Sequence, residues 1–232
     1  MLTIYGIYRS RASRNFWLVN ELGIPFRQVP VMQHYRLKEP VAADVVHTRS
    51  PEFLKVNPNG HVPSIDDDGV VLHESLAINL YLAQKHGPGT MYPATLEGQA
   101  KAAQWCLWAA NEIERATNVW SFHAERLPPA ERDPKIAAAA IELLAAPFGV
   151  LDHALAARAY LLGNDFTVAD LNVAAVALRA IAMDLSATPH FGDWLQRCYE
   201  RPAAQKVSRM RREAEAGASV ETTREAARRN RL

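Results

Sequence analysis

Every strand-like stretch of this chain lies before Glu74, and beyond the cluster His86-Gly87-Pro88-Gly89 only helical periodicity remains. That break constrains the fold more than any other feature. A Gly/Pro cluster marks a linker, so a small α/β unit is expected first and an all-helical unit second. The length of 232 residues accommodates one large domain or two small ones, at about 100–200 residues each. A hydrophobic fraction of 49% with 22% charged residues supports a sizeable core and excludes disorder throughout.

Within the first unit, Leu2 to Tyr5 reads as a strand. Phe16, Val19 and Leu22 then recur at helical spacing and stop at Gly23, with Pro25 just beyond. Phe26 to Val31 is a second strand candidate, which gives the order β-α-β. Periodicity is lost from Met32 to Ser50, a long polar excursion, and Pro51 to Leu54 reads as a helical turn with Pro at its permitted first position. Val62 to Ile65 and Val70 to Leu72 are short strands. Asp66-Asp67-Asp68-Gly69 between them ends on Asp-Gly, a hairpin turn signal. Three consecutive aspartates invite a metal reading, but neighbouring hairpin residues point different ways, so a solvated turn is expected. Leu76, Leu80 and Ala83 mark one face of the next helix.

In the second unit, Cys106, Ala110, Ile113, Thr117 and Trp120 form one stripe of a long helix, and Trp105, Trp108, Glu112 and Arg115 form another. Ala-rich helical sequence runs from Pro134 to Tyr160, with an interruption expected near Pro147 and Gly149. Phe166-Thr167-Val168-Ala169-Asp170-Leu171 carries a full helix start: Thr167 as cap, Asp170 reaching back, Phe166 stapled to Leu171. A buried helix from Leu171 to Met183 and another around Phe191 to Glu200 follow.

Charge and cysteine narrow the function. With 26 Lys and Arg against 25 Asp and Glu, the chain is near neutral, which argues against nucleic acid as its partner. Seven Arg and four Glu are nevertheless gathered from Arg209 onward, so the end of the chain is basic and a solvated tail is expected there. Cys106 and Cys198 lie far apart in apolar surroundings and read as small buried hydrophobes. The eight histidines show no ligand spacing, and His73-Glu74 lacks the second His of a zinc-protease helix, so no metal is expected. The chain begins directly on a strand pattern, and no apolar run approaches the roughly 20 residues that span a bilayer. A soluble protein of a reducing compartment, without a membrane, is the expectation.

Asn57-Pro58-Asn59-Gly60-His61-Val62-Pro63-Ser64-Ile65, then Asp68-Gly69, then Leu72-His73-Glu74-Ser75 opening a helix, resembles the glutathione-binding half of the glutathione S-transferase family. The β-α-β before it, the linker after it and the Thr167–Asp170 capping motif fit the same pattern, over roughly residues 1 to 205. The resemblance implies a thioredoxin-like domain over 1–86, a linker over 87–94, an all-helical substrate and dimerisation domain over 95–208, and a charged tail over 209–232.

It also implies a set of site residues. The Val62-Pro63 bond would be cis, turning the Val62 main chain toward a cleft where it pairs with the cysteinyl backbone of glutathione; otherwise Pro63 is an ordinary proline opening an edge strand. Glu74 would balance the γ-glutamyl ammonium, and Ser75 would hold its carboxylate at a helix N-terminus; on its own Ser75 reads as an N-cap. His61 and Arg49 would serve the glycine carboxylate, His61 with more dependence on pH than the Lys or Gln common in relatives. Ser10, between the first strand and helix, matches the thiolate-stabilising serine of the theta- and zeta-like branch, with Tyr8, Ser13 and Tyr5 as rivals. Asn15 departs from the basic residue of zeta-like relatives.

The expected protein is therefore a cytoplasmic, homodimeric glutathione transferase with glutathione as co-substrate. It would ionise the thiol and conjugate it to a small hydrophobic electrophile held partly by the helix bearing Trp105 and Trp108. Two alternatives stand: another glutathione-dependent enzyme (isomerase, dehalogenase or reductase), or a non-catalytic binding protein on the same scaffold.

Overall fold

The structure, a computed structural model, describes residues 1–38 and 40–229, with side chains described as far as residue 215. The chain divides into two compact units, Met1–Leu82 together with the chain from Pro202 onward, and Ala83–Arg201. The last three residues of the charged segment expected from Arg209 lie outside the described ones.

The first unit is built on a four-stranded mixed sheet in the order β2-β1-β3-β4. Strand β1 (Leu2–Tyr5) pairs in parallel with β2 (Arg27–Val29) and antiparallel with β3 (Ser64–Asp67), which pairs antiparallel with β4 (Val70–His73). Between β1 and β2 comes helix α1 (Ala12–Glu21). Asp67 opposes Val70, so Asp68 and Gly69 alone make the turn, both at positive φ (51° and 91°), the two-residue hairpin that Asp-Gly favours. The three aspartates diverge there: Asp66 Oδ1 accepts from the Gly69 amide, Asp67 Oδ2 from the Tyr81 hydroxyl, and Asp68 pairs with the N-terminal ammonium.

Helix α2 (Pro51–Leu54) follows the excursion, which closes on itself through Met32 N to Val46 O (3.0 Å) and Thr48 N to Met32 O (2.8 Å). Helix α3 (Ser75–His86) follows β4. Leu2, Ile4, Phe16, Leu18, Ile65, Ile78 and Leu82 are buried and form the core of this unit, and Val31, Phe53 and Val62 cluster separately. The expected tail is instead part of α9 (Pro202–Arg229), which packs on α1. Lys206 Nζ donates to Asn20 Oδ1 at 2.6 Å, and Arg9 lies 3.9 Å from Glu215.

The second unit is helical throughout. The long helix expected through Cys106, Ile113 and Trp120 is two: α4 (Leu96–Glu112) and α5 (Glu114–Ser121) break at Ile113, where φ is −109°. Helix α6 (Pro134–Leu155) passes through Pro147 without the expected interruption; the ring is buried, and the helix lacks the one amide that proline cannot supply. By length and composition α6 could also cross a membrane, against the sequence expectation, yet its buried stripe of Ala137, Ala140, Leu144, Leu151 and Leu155 packs on α5 and α8 (Pro189–Tyr199).

Helix α7 (Val168–Val176) is the buried helix, and a 3-10 turn continues it over Ala177–Ala182. Its capping box is formed as read: the Thr167 amide donates to Asp170 Oδ2 at 3.0 Å and the Ala169 amide to Thr167 Oγ at 3.3 Å. Cys106 and Cys198 are both buried. Burial pushes the Cys106 thiol up to about 11, and Asn172 Nδ2 donates to its sulfur at 3.1 Å. A thiol so placed is almost wholly protonated at neutral pH, and only the thiolate is nucleophilic. Iodoacetamide at neutral pH should therefore leave both cysteines unlabelled in the folded protein and label both in denaturant, as mass spectrometry would read directly.

Candidate functional site

Close approach of chain segments at two glycines frames the site. Gly6 ends β1 with φ +142°, and a Cβ there would lie 2.7 Å from Ala12 Cβ and 3.5 Å from both Ser10 Oγ and Val62 Cβ. The start of α1 and Val62 therefore both crowd against Gly6. At Gly60 (φ +61°) a Cβ would lie 2.6 Å from the Thr48 carbonyl oxygen, so the 47–49 and 59–61 segments meet there.

The loop carrying His61, Val62 and Pro63 is held from inside by Asn57, which is buried. Its Nδ2 donates to the His61 carbonyl (2.8 Å) and to Ser64 Oγ (3.1 Å), and its Oδ1 accepts from the Asn59 amide (3.0 Å). The Val62–Pro63 peptide is cis. On the facing segment His34 N donates to Thr48 Oγ1 (3.0 Å), His47 N to Ser50 Oγ (2.9 Å), and Arg49 N to His47 Nδ1 (3.1 Å). An acceptor at Nδ1 places the His47 ring proton on Nε2.

Glu74, between β4 and α3, has φ +73°, which a non-glycine residue adopts at a cost of about 1–3 kcal/mol and which recurs at functional sites. Ser75, first residue of α3, is clamped from α1. Arg14 Nη1 donates to Ser75 Oγ (3.2 Å), and Asn15 Nδ2 donates to the Ser75 carbonyl (2.9 Å) and to Asn79 Oδ1 (2.7 Å). Asn79 Nδ2 returns a bond to the Arg14 carbonyl (3.3 Å). With its oxygen already accepting from Arg14, the Ser75 hydroxyl keeps its own proton to donate.

These segments enclose a cavity of about 550 Å³. Arg49, His61, Val62, Pro63, Glu74 and Ser75 all line it, so the structure brings six of the seven expected residues onto one wall. Ser10 is not among the lining residues. It is buried, its hydroxyl donates to the Ile7 carbonyl (2.7 Å), and its oxygen accepts from the Ala12 amide (3.1 Å). Those two bonds shape the entry to α1 and engage the proton a sulfur would need. The rivals are no better placed, since Tyr5, Tyr8 and Ser13 also lie off the wall. The Tyr5 ring packs 6.2 Å from Phe53 and Tyr8 4.3 Å from Phe16, and burial raises the Tyr8 phenol above its ordinary value.

Sequence reasoning missed the supports. Arg14 and Asn79 carried no motif, although an Asn inside the apolar run Leu76–Leu82 is itself a signal of a buried polar contact. Arg11, Gln33 and His34 also line the cavity and were not singled out. In the second unit Trp105 and Trp108 pack edge to face, with centroids 5.1 Å apart.

The wall is asymmetric. Arg11, His34, Arg49 and His61 face a single carboxylate, Glu74, and the N-terminus of the 12-residue α3 opens at Ser75. Oriented amides and a partial positive charge at such a terminus favour a carboxylate. Fold and cavity together define a small mixed sheet, followed by helices, with a cavity suited to a small carboxylate-bearing ligand.

Comparison with known proteins agrees. Residues 4–90 match the model of the glutathione S-transferase N-terminal domain, and residues 116–202 that of its C-terminal domain. Glutathione S-transferase GstB of Escherichia coli (strain K12) is 30% identical over 212 residues, 89% of this chain and 97% of its own length. The crystal structure of a theta class glutathione S-transferase from Xanthomonas axonopodis pv. citri, with glutathione bound, is similar at a TM-score of 0.76 and 28% identity, covering 88% of this chain and 95% of that one. Elongation factor 1-gamma 1 of Oryza sativa subsp. japonica is 33% identical over 126 residues, 54% of this chain and 30% of its own. The chain belongs to the glutathione S-transferase family.

Proposed function

We propose that this protein is a glutathione transferase that binds reduced glutathione in the cavity, ionises its thiol and conjugates it to a small hydrophobic electrophile. The observation that carries the reading is the convergence on one wall of Val62, of Glu74-Ser75 at the start of α3, and of His61 with Arg49 where Gly60 meets Thr48. Each matches one part of the tripeptide. The Val62 main chain pairs with the cysteinyl backbone. Ser75 takes the γ-glutamyl carboxylate and Glu74 its ammonium. His61 and Arg49 take the glycine carboxylate. The thiolate attacks the electrophilic carbon, a C–S bond forms, and the leaving group departs with its electron pair; thiol ionisation and proximity supply most of the advantage.

The reading includes a homodimer and a cytoplasmic setting. In support of the dimer, β4 is an edge strand with Val70 44% and Val71 48% exposed, apolar surface that a second copy would cover.

Turnover of a chlorodinitrobenzene-type substrate is the test. The rate of conjugate formation should rise with glutathione concentration and saturate. Saturable glutathione binding without turnover across a panel of electrophiles, peroxides and haloalkanes would favour a binding protein, the second reading, which the likeness to elongation factor 1-gamma supports. Turnover of the peroxides or haloalkanes alone would indicate another glutathione-dependent enzyme.

A further inference from the structure

The turn between β1 and α1 gives the cavity wall one residue, and that residue is Arg11. Its position is fixed from two sides. On one side Gly6, at the start of the turn, lies close to both Ala12 and Val62. On the other, Arg14 and Asn15 bind the Ser75 side chain and main chain. Under the proposed binding mode those two points hold the cysteinyl backbone and the γ-glutamyl carboxylate, so the stretch between them faces the cysteinyl side chain. The hydroxyls of the same stretch are off the wall, and the Ser10 proton is engaged by the Ile7 carbonyl.

Resting on the glutathione reading, we propose that the Arg11 guanidinium stabilises the glutathione thiolate in this cavity. The S–H bond breaks with its electron pair left on sulfur, and the proton passes to solvent water, since a guanidinium has no acceptor for it. A cation within about 4–6 Å favours the charged form of an acid and lowers its pKa by about 1–3 units. Arginine holds that charge at any working pH, and the amide end of α1 adds to it. The other charged or titratable groups of the wall are His34, Tyr35, Arg49, His61 and Glu74. Arg49 and His61 belong to the segments that meet at Gly60, and Glu74 to the start of α3, away from the β1–α1 turn.

Ultraviolet difference spectra of enzyme-bound thiolate, titrated against pH, test this on the wild type, Arg11→Ala, Arg11→Lys and Ser10→Ala, with glutathione affinity measured by calorimetry on the same samples. Arg11 is exposed and makes no side-chain capping bond to α1, and circular dichroism of each variant checks that the fold is kept. Arg11→Ala should raise the midpoint of thiolate formation by about one unit or more, roughly a tenfold loss of thiolate at neutral pH, with affinity changed less than about threefold. Arg11→Lys should restore most of the shift, which a merely structural role would not. An unchanged midpoint in Arg11→Ala overturns the assignment, and a shift in Ser10→Ala alone would return the role to serine. A wild type that does not bind glutathione overturns the reading of the site, and this inference with it.

Discussion

Asp170→Ala should destabilise the protein by about 3–5 kcal/mol, a large part of the roughly 5–15 kcal/mol that holds a domain folded. The side chain is fully buried at the start of α7 and accepts four hydrogen bonds. Oδ1 takes the Leu161 amide (2.7 Å) and the Trp194 indole N–H (3.0 Å), and Oδ2 takes the amide and hydroxyl of Thr167, both at 3.0 Å. One carboxyl thus joins the loop before α7, the cap of α7 and the fully buried Trp194 of α8. Burial pushes this carboxyl above the ordinary range, and the four donors pull it back.

Alanine leaves two amides and an indole N–H buried without acceptors, at about 1–3 kcal/mol each before relaxation, well beyond the ~1 kcal/mol of an ordinary cap. Urea unfolding followed by circular dichroism should show the fall in midpoint, and hydrogen exchange should show lost protection at the Leu161 and Thr167 amides. Asp170→Asn, which keeps one oxygen, should lose about half as much. A midpoint for Asp170→Ala within experimental error of the wild type would contradict this account of α7.

Ser75→Ala should weaken glutathione binding by about 10–100-fold, the range of 1.5–3 kcal/mol for a hydrogen bond to a charged group. The hydroxyl stands between the Arg14 guanidinium, whose hydrogen bond it accepts at 3.2 Å, and the cavity, into which it can donate. Removing it takes away the ligand's donor and one acceptor of a buried guanidinium at once. Ser75→Thr retains the hydroxyl and should recover most of the affinity. The loss should fall on KM for glutathione, with the KM of the second substrate nearly unchanged. An equal loss on both substrates would mean that α3 itself had shifted.

What sequence alone disclosed followed the range of the interactions concerned. The hairpin at Asp68-Gly69 and the box at Thr167–Asp170 are set by residues within one turn of each other, and both formed as read. The cavity wall was legible because Val62-Pro63 and Glu74-Ser75 are compact motifs. The uninterrupted α6 was not, since Pro147 breaks a helix by local rules and is tolerated here through burial between neighbours. The break at Ile113 was equally hidden, because the buried stripe through Cys106, Ile113, Thr117 and Trp120 continues across it. The α1–α3 clamp of Arg14, Asn15, Ser75 and Asn79 joins residues some 60 positions apart and has no local signature. Ser10 stood at the expected place in the chain, and the direction of its hydroxyl, which decides what it can do, is a property of the folded turn.

The central claim is that this cavity is a glutathione site, and calorimetric titration of the wild-type protein with reduced glutathione tests it most directly. One site per chain should saturate at up to millimolar concentration, about −4 kcal/mol or tighter. Cysteinylglycine, which lacks the γ-glutamyl group that Glu74 and Ser75 are placed to hold, should bind far more weakly. Absence of saturable heat with glutathione, or equal affinity for the truncated dipeptide, would contradict the account.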